Sequence, residues 1–209
     1  MEQVRSFIAI ELPDELKVGL SHLQDRLKLG KQSSVKWVNL RSIHLTLKFL
    51  GNITVDRISD ITRVMEEATQ GIPPFRLEVK ELGAFPNLRR VQVVWVGVNG
   101  EVDKLGRLQQ RIESNLVHLG FAPESRPFTP HLTLARLRDR ASLDERQRFG
   151  QLIASTKFEA TYIIKVDAIN LMRSQLTREG AIYSRISSVQ LRNSRLISEK
   201  GLKLNKGQI

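Results

Sequence analysis

A chain of 209 residues with a hydrophobic fraction of 41% can bury a core unaided, as one domain or as two small lobes sharing one. It has no cysteine, which excludes disulfides, zinc–thiolate sites and thiol nucleophiles. The net charge of +11 favours a polyanionic partner such as a nucleic acid, because Lys and Arg displace the counterions of a phosphate backbone.

The first apolar run, Phe7 to Ile10, stops at Glu11. It is too short for a signal peptide, and no later run reaches the length of a membrane span. A cytoplasmic chain with no membrane attachment is expected. Ser6–Leu12 reads as a strand. Pro13-Asp14-Glu15 opens a helix to about Leu29, since proline and acids suit a helix N-terminus. Val35–Val38 and Ile43–Leu50 read as strands, Asp56–Ala68 as a helix closed by Gly71-Ile72-Pro73-Pro74. Phe75–Leu82 and the valine-rich Val91–Val98 are strands. Apolar residues at Val102, Leu105, Leu108, Ile112, Leu116 and Leu119 have helical spacing, and Gly120 ends that helix. His131–Leu137 is a strand, Leu143–Ala154 a helix, and Phe158–Leu171 and Ala181–Val189 the last strands. Mixed crossover helices and paired strands point to an α+β fold. Residues 189–209 hold five Lys/Arg and one Glu without a clear period, which predicts a mobile basic tail.

Of the four histidines, two open the same tetrapeptide: His44-Leu45-Thr46-Leu47 and His131-Leu132-Thr133-Leu134. On a strand, His and Thr share one face, about 7 Å apart at Cα, while both leucines point the other way. The repeat suggests two similar lobes that face each other and hold a small group between two imidazoles. His22 and His118 lack that context and read as exposed helix residues.

The residue types constrain the chemistry. Threonine is a poor neutral metal ligand, and neither His-x-His nor His-Glu-x-x-His occurs. No Gly-x-Ser-x-Gly elbow is present either. Two imidazoles suit general acid–base catalysis, one taking a proton from water and the other giving one to a leaving alkoxide. Opposed lobes fit in-line displacement at phosphorus. The threonine hydroxyls can donate to the non-bridging oxygens, where charge must be stabilised.

The sequence resembles the 2H phosphoesterases, and among them the RNA 2′,3′-cyclic phosphodiesterases, also called 2′-5′ RNA ligases. The likeness runs over about residues 4–188, which sets the expected domain at 1–188. It includes Arg5-Ser6-Phe7-Ile8-Ala9-Ile10, Val35-Lys36-Trp37-Val38, His44 through Gly51, Gly83-Ala84-Phe85-Pro86, Trp95-Val96-Gly97-Val98, Phe128 through Arg136, and Gly180-Ala181-Ile182-Tyr183. The resemblance implies a bilobal α+β fold, two pseudo-symmetric lobes of antiparallel sheet plus helices around a central cleft. It implies opening of an RNA 2′,3′-cyclic phosphate, on tRNA fragments among others, to a 2′-phosphate. It implies a monomer, no metal and no cofactor. By the same resemblance His44 is the proton donor, His131 the proton acceptor, Thr46 and Thr133 phosphate holders, and Arg136 and Phe7 substrate-binding residues. Arg136 has the wrong strand parity to share a face with His131, so a bulge or strand end must turn it into the cleft. Position 8 is isoleucine where the family often has a second aromatic, and the Arg-Pro that often precedes the valine-rich strand is absent. A non-catalytic RNA- or nucleotide-binding module, and a 2H enzyme acting on a small cyclic nucleotide or an ADP-ribose derivative, are the alternatives.

Overall fold

The computed structural model describes residues 2–30, 33–158, 161–177 and 181–192. Two sheets, each antiparallel throughout, face each other. One has the order β3-β1-β8-β9, formed by Leu45–Thr54, Gln3–Ile10, Ala168–Leu176 and Ala181–Gln190. The other has the order β2-β6-β5-β4-β7, formed by Val35–Trp37, His131–Leu137, Val93–Gly100, Phe75–Phe85 and Tyr162–Val166. Among the described residues four α-helices cover them: α1 (Asp14–Lys28), α2 (Ile58–Thr69), α3 (Val102–Val117) and α4 (Leu143–Ser155). Among the described residues no helix is long and apolar enough to cross a membrane.

The helices form where the sequence periodicity places them. In α1, Leu16, Leu20, Leu23 and Leu27 recur at spacings of four and three and are buried, and Asp14 and Glu15 occupy the first turn. Helix α4 starts at a capping box, in which Ser142 and Glu145 bond each other's backbone N–H.

The lobes exchange helices. Helix α1 leaves β1 of the four-stranded sheet but packs on the five-stranded one. The Gln24 amide Nε2 donates to the carbonyls of Val38 and Leu134 at 2.9 and 3.1 Å, and Gly19 lets the Tyr162 ring approach so closely that a Cβ there would overlap its hydroxyl. Helix α3 leaves β5 of the five-stranded sheet and packs on α2 and β3 of the other. The contact holds a buried ion pair, Lys48 Nζ to Glu113 Oε2 at 2.8 Å, and Lys48 also donates to the Ala122 carbonyl. Periodicity reveals which face of a helix is apolar but not which sheet it covers.

One boundary differs from expectation. The single strand expected over 158–171 is two strands in different sheets, β7 and β8, separated by Asp167. The run Ile163-Ile164-Lys165-Val166-Asp167-Ala168-Ile169 is β-favouring over most of its length, so composition hides the crossing. At the C-terminal end, β9 reaches Gln190, Val189 and Leu191 are buried, and the Leu191 N–H donates to the Asp167 carbonyl at 2.8 Å. The sheet therefore continues past residue 188. Four of the tail cations, Arg195, Lys200, Lys203 and Lys206, lie outside the described residues.

Candidate active site

Both tetrapeptides lie on strands that face the cleft between the sheets. His44 immediately precedes β3, and His131 is the first residue of β6. Leu45, Leu47, Leu132 and Leu134 are buried in the core, while His44, Thr46, His131 and Thr133 are half-buried on the cleft side. The expected alternation holds over these four residues in each copy.

It then breaks in the same way in both. In the β1–β3 ladder, Ala9 pairs with Thr46 but Ile8 pairs with Lys48, so Leu47 is bulged out. In the β5–β6 ladder, Trp95 pairs with Thr133 but Val94 pairs with Ala135, so Leu134 is bulged out. An extra residue reverses the parity of the positions that follow it, up to any further bulge. Lys48 and Ala135 turn inward and are buried, whereas Phe49 and Arg136 turn to the cleft. This is the bulge that Arg136 requires.

The cleft has a volume of about 400 Å³ and is lined by His44, Thr46, His131, Thr133, Arg136 and Tyr183 among others. Each histidine is held alike. The His44 Nδ1 lies 2.8 Å from the Ser42 carbonyl and the His131 Nδ1 2.7 Å from the Thr129 carbonyl. A carbonyl only accepts, so Nδ1 carries the proton and donates it. This leaves Nε2 of each ring as the nitrogen able to exchange a proton in the cleft.

Their surroundings differ. His44 stacks on Phe7 with centroids 4.5 Å apart and meets the edge of Tyr183 at 5.1 Å. His131 meets Phe85 edge-on at 5.0 Å. Burial pushes both imidazoles below their ordinary 6.5, and the carbonyl bonds partly oppose it. A smaller influence separates the two: Glu11 pulls His44 upward, and Arg136 pushes His131 down. Tyr183, legible in the sequence only as part of a matching segment, closes the side of the cleft behind His44. Its hydroxyl is pushed up by burial, against the pull of Arg136 and Arg5.

Phe7 is only 3% exposed and packs with Ala9 and Met172 beneath His44. In this arrangement its ring supports the imidazole and offers little face to a base. Phe49, which no reading of the sequence singles out, is 63% exposed at the rim of the cleft. The Leu47 bulge puts it there, and unbroken alternation predicts the opposite face. His22 and His118 lie outside the cleft, on α1 and just after α3. Among the described residues no three His, Asp or Glu side chains converge as a metal site would need.

Two antiparallel sheets that each bring a His-x-Thr strand to one cleft define a bilobal, two-histidine phosphoesterase-type fold. The chain matches the 2′-5′ RNA ligase superfamily over residues 12–178 and belongs to that family. A protein of Methanothermobacter thermautotrophicus named RNA 2′,3′-cyclic phosphodiesterase is 33% identical over 182 residues, covering 87% of this chain and 96% of its own. A protein of the same name from Aquifex aeolicus is 29% identical, covering 91% and 99%. Among solved structures, one from Thermus thermophilus superposes with a TM-score of 0.72 at 25% identity, over 90% of this chain and 98% of that one. Escherichia coli LigT in complex with 3′-AMP gives 0.71 at 24% identity, over 91% and 99%, a likeness of fold.

Proposed function

We propose that the protein hydrolyses RNA terminal 2′,3′-cyclic phosphates to 2′-phosphomonoesters by two-histidine acid–base catalysis. The observation that carries this reading is the pair of imidazoles on one cleft, each with Nδ1 pinned to the carbonyl two residues before it and Nε2 left to exchange a proton. The names of the relatives support the substrate class.

Water attacks phosphorus as His131 Nε2 accepts its proton. The bond from phosphorus to the 3′ oxygen breaks, and His44 Nε2 protonates that oxygen. The products are a 2′-phosphate and a free 3′ hydroxyl. Thr46 and Thr133 donate to the non-bridging oxygens, and Arg136 adds positive charge where the transition state gathers negative charge. The neighbouring charges support this division of labour. Glu11 favours the imidazolium at His44, and Arg136 favours the neutral ring at His131. With the 5′ hydroxyl of a second RNA attacking in place of water, and giving its proton to His131, the same forward steps open the ring to a 2′-5′ linkage and a free 3′ hydroxyl.

The test is product analysis with an RNA ending in a 2′,3′-cyclic phosphate. A 2′-phosphate product, formed undiminished in excess EDTA, is expected. A 3′-phosphate product refutes the direction of opening, binding without turnover refutes the catalytic reading, and metal-restored activity after chelation refutes the metal-free mechanism.

A further inference from the structure

The cleft continues beyond the histidines in two directions. Past Val38, Ser42, Arg136 and Tyr183 it opens into a trench of about 820 Å³. Past Thr46, Phe49 and His131 it opens into a recess of about 280 Å³. The charges of the two differ. The recess contains Glu113 and Glu124, and its Lys48 is already paired with Glu113, which leaves Arg126 as its free cation among the described residues. The trench has Lys28, Lys36 and Arg136, and none of the described residues lining it is acidic.

The floor of the trench carries an unusual pair. Lys36 on β2 and Arg136 on β6 are direct partners in the antiparallel ladder, so their side chains rise from the same face. Like charges so placed repel and weaken the pairing. Among the described residues neither has an ion-pair partner, whereas Lys28 shares the exposed Asp25 at 2.9 Å. An anion seated over the pair removes the repulsion.

The chemistry of the substrate selects the anion. A terminal 2′,3′-cyclic phosphate occupies both lower oxygens of its ribose, so the RNA can leave the cleft only through the 5′ oxygen. It needs one exit, and the acidic recess is the poorer one. We propose that the trench is the RNA exit. Lys36 holds the first backbone phosphate on the 5′ side of the cyclic phosphate, Lys28 holds the next, and Arg136 stands at the junction of trench and cleft. The proposal rests on the cyclic phosphodiesterase reading and adds to it a path for the strand.

The test compares two substrates on the full chain: cytidine 2′,3′-cyclic monophosphate, and a single-stranded RNA of about ten nucleotides with a cyclic phosphate end. The quantity read is the ratio of kcat/KM for the RNA to kcat/KM for the mononucleotide. In Lys36→Glu that ratio falls about tenfold, through KM, with a smaller fall in Lys36→Gln and Lys28→Gln. The salt dependence of the RNA KM becomes shallower by about 0.7 in the log–log slope for each neutralised lysine, as expected for a single strand. A ratio unchanged in all three variants overturns the proposal. So does an equal loss on both substrates, which places Lys36 in the chemistry or in folding. A fall in Arg126→Gln instead sends the strand through the recess and also overturns it. If the unaltered protein turns over neither substrate, the phosphodiesterase reading itself has failed, a result distinct from all of these.

Discussion

The two His-Leu-Thr-Leu segments share a backbone device and differ in almost everything around it. Each presents a histidine tied through Nδ1 to the carbonyl two residues earlier, then a threonine on the same face, then a bulged leucine. What the bulge delivers differs. Four residues after the histidine stands buried Lys48 in one lobe and Ala135 in the other. Five residues after it stands Phe49 in one and Arg136 in the other. Glu11 attends the first histidine and Arg136 the second. The backbone supplies two equivalent imidazoles, and the neighbours make them inequivalent. On the proposed mechanism, that inequality is what makes a proton donor and a proton acceptor from one repeated tetrapeptide.

The strongest break in that comparison is removal of either ring. His44→Ala and His131→Ala are each expected to lose about 10²–10⁴ in kcat, with the double variant little worse than either single one. A substrate with a better leaving group at the 3′ position is expected to rescue His44→Ala and not His131→Ala in single-turnover assays. Rescue of the other variant reverses the roles.

A second break concerns stability. Lys48→Ala strands Glu113 beneath β3 and is expected to cost about 3–5 kcal/mol in urea unfolding, the range for a buried pair that loses one partner. Ala135→Lys, the same change run the other way, also destabilises, because it introduces a buried charge. If Lys48→Ala leaves the urea midpoint unmoved, the pair is not structural.

Exchanging the neighbours sharpens the comparison further. Glu11→Gln removes the upward pull on His44, so the alkaline limb of the kcat/KM profile moves down. Arg136→Gln removes the downward push on His131, so the acid limb moves up. Both narrow the bell; at fixed pH Glu11→Gln loses about two- to fivefold, the scale of one screened charge pair, and Arg136→Gln loses more because its charge also faces the transition state. With the roles reversed, the same variants widen it.

The smallest effect lies in folding stability against pH. Both histidines sit below 6.5 in the folded protein, so the unfolded chain binds more protons once the pH drops under 6.5. Their contribution is intact above 6.5 and declines as pH falls through the lowered folded values. In His44→Ala and His131→Ala the unfolding midpoint is expected to depend less on pH over that window. An unchanged dependence means the burial effect is absent.

Much of this site can be read from the chain itself. The alternation within each tetrapeptide is a local property, and it places His44, Thr46, His131 and Thr133 on one side and the leucines on the other. The bulges cannot be read there, because Leu47 and Leu134 look like ordinary members of the alternation. Alternation alone therefore puts Phe49 on the wrong face, and Arg136 depends on a feature only the ladders reveal. Phe7 and Tyr183 converge on His44 from strands far apart in sequence, a contact that no local pattern encodes. The turn at Asp167 is hidden for the opposite reason, since its flanks read as one continuous strand.

Because α1 and α3 each cover the sheet they did not come from, neither lobe carries the whole of its own cover, although α2 and α4 stay with theirs. A half-chain released from its partner exposes an apolar sheet face on one side and a leucine-striped helix with nothing beneath it on the other. The two lobes are therefore expected to melt together in one cooperative transition, seen as coincident urea curves by different probes. Loosening either lobe is therefore expected to withdraw both imidazoles from the cleft together.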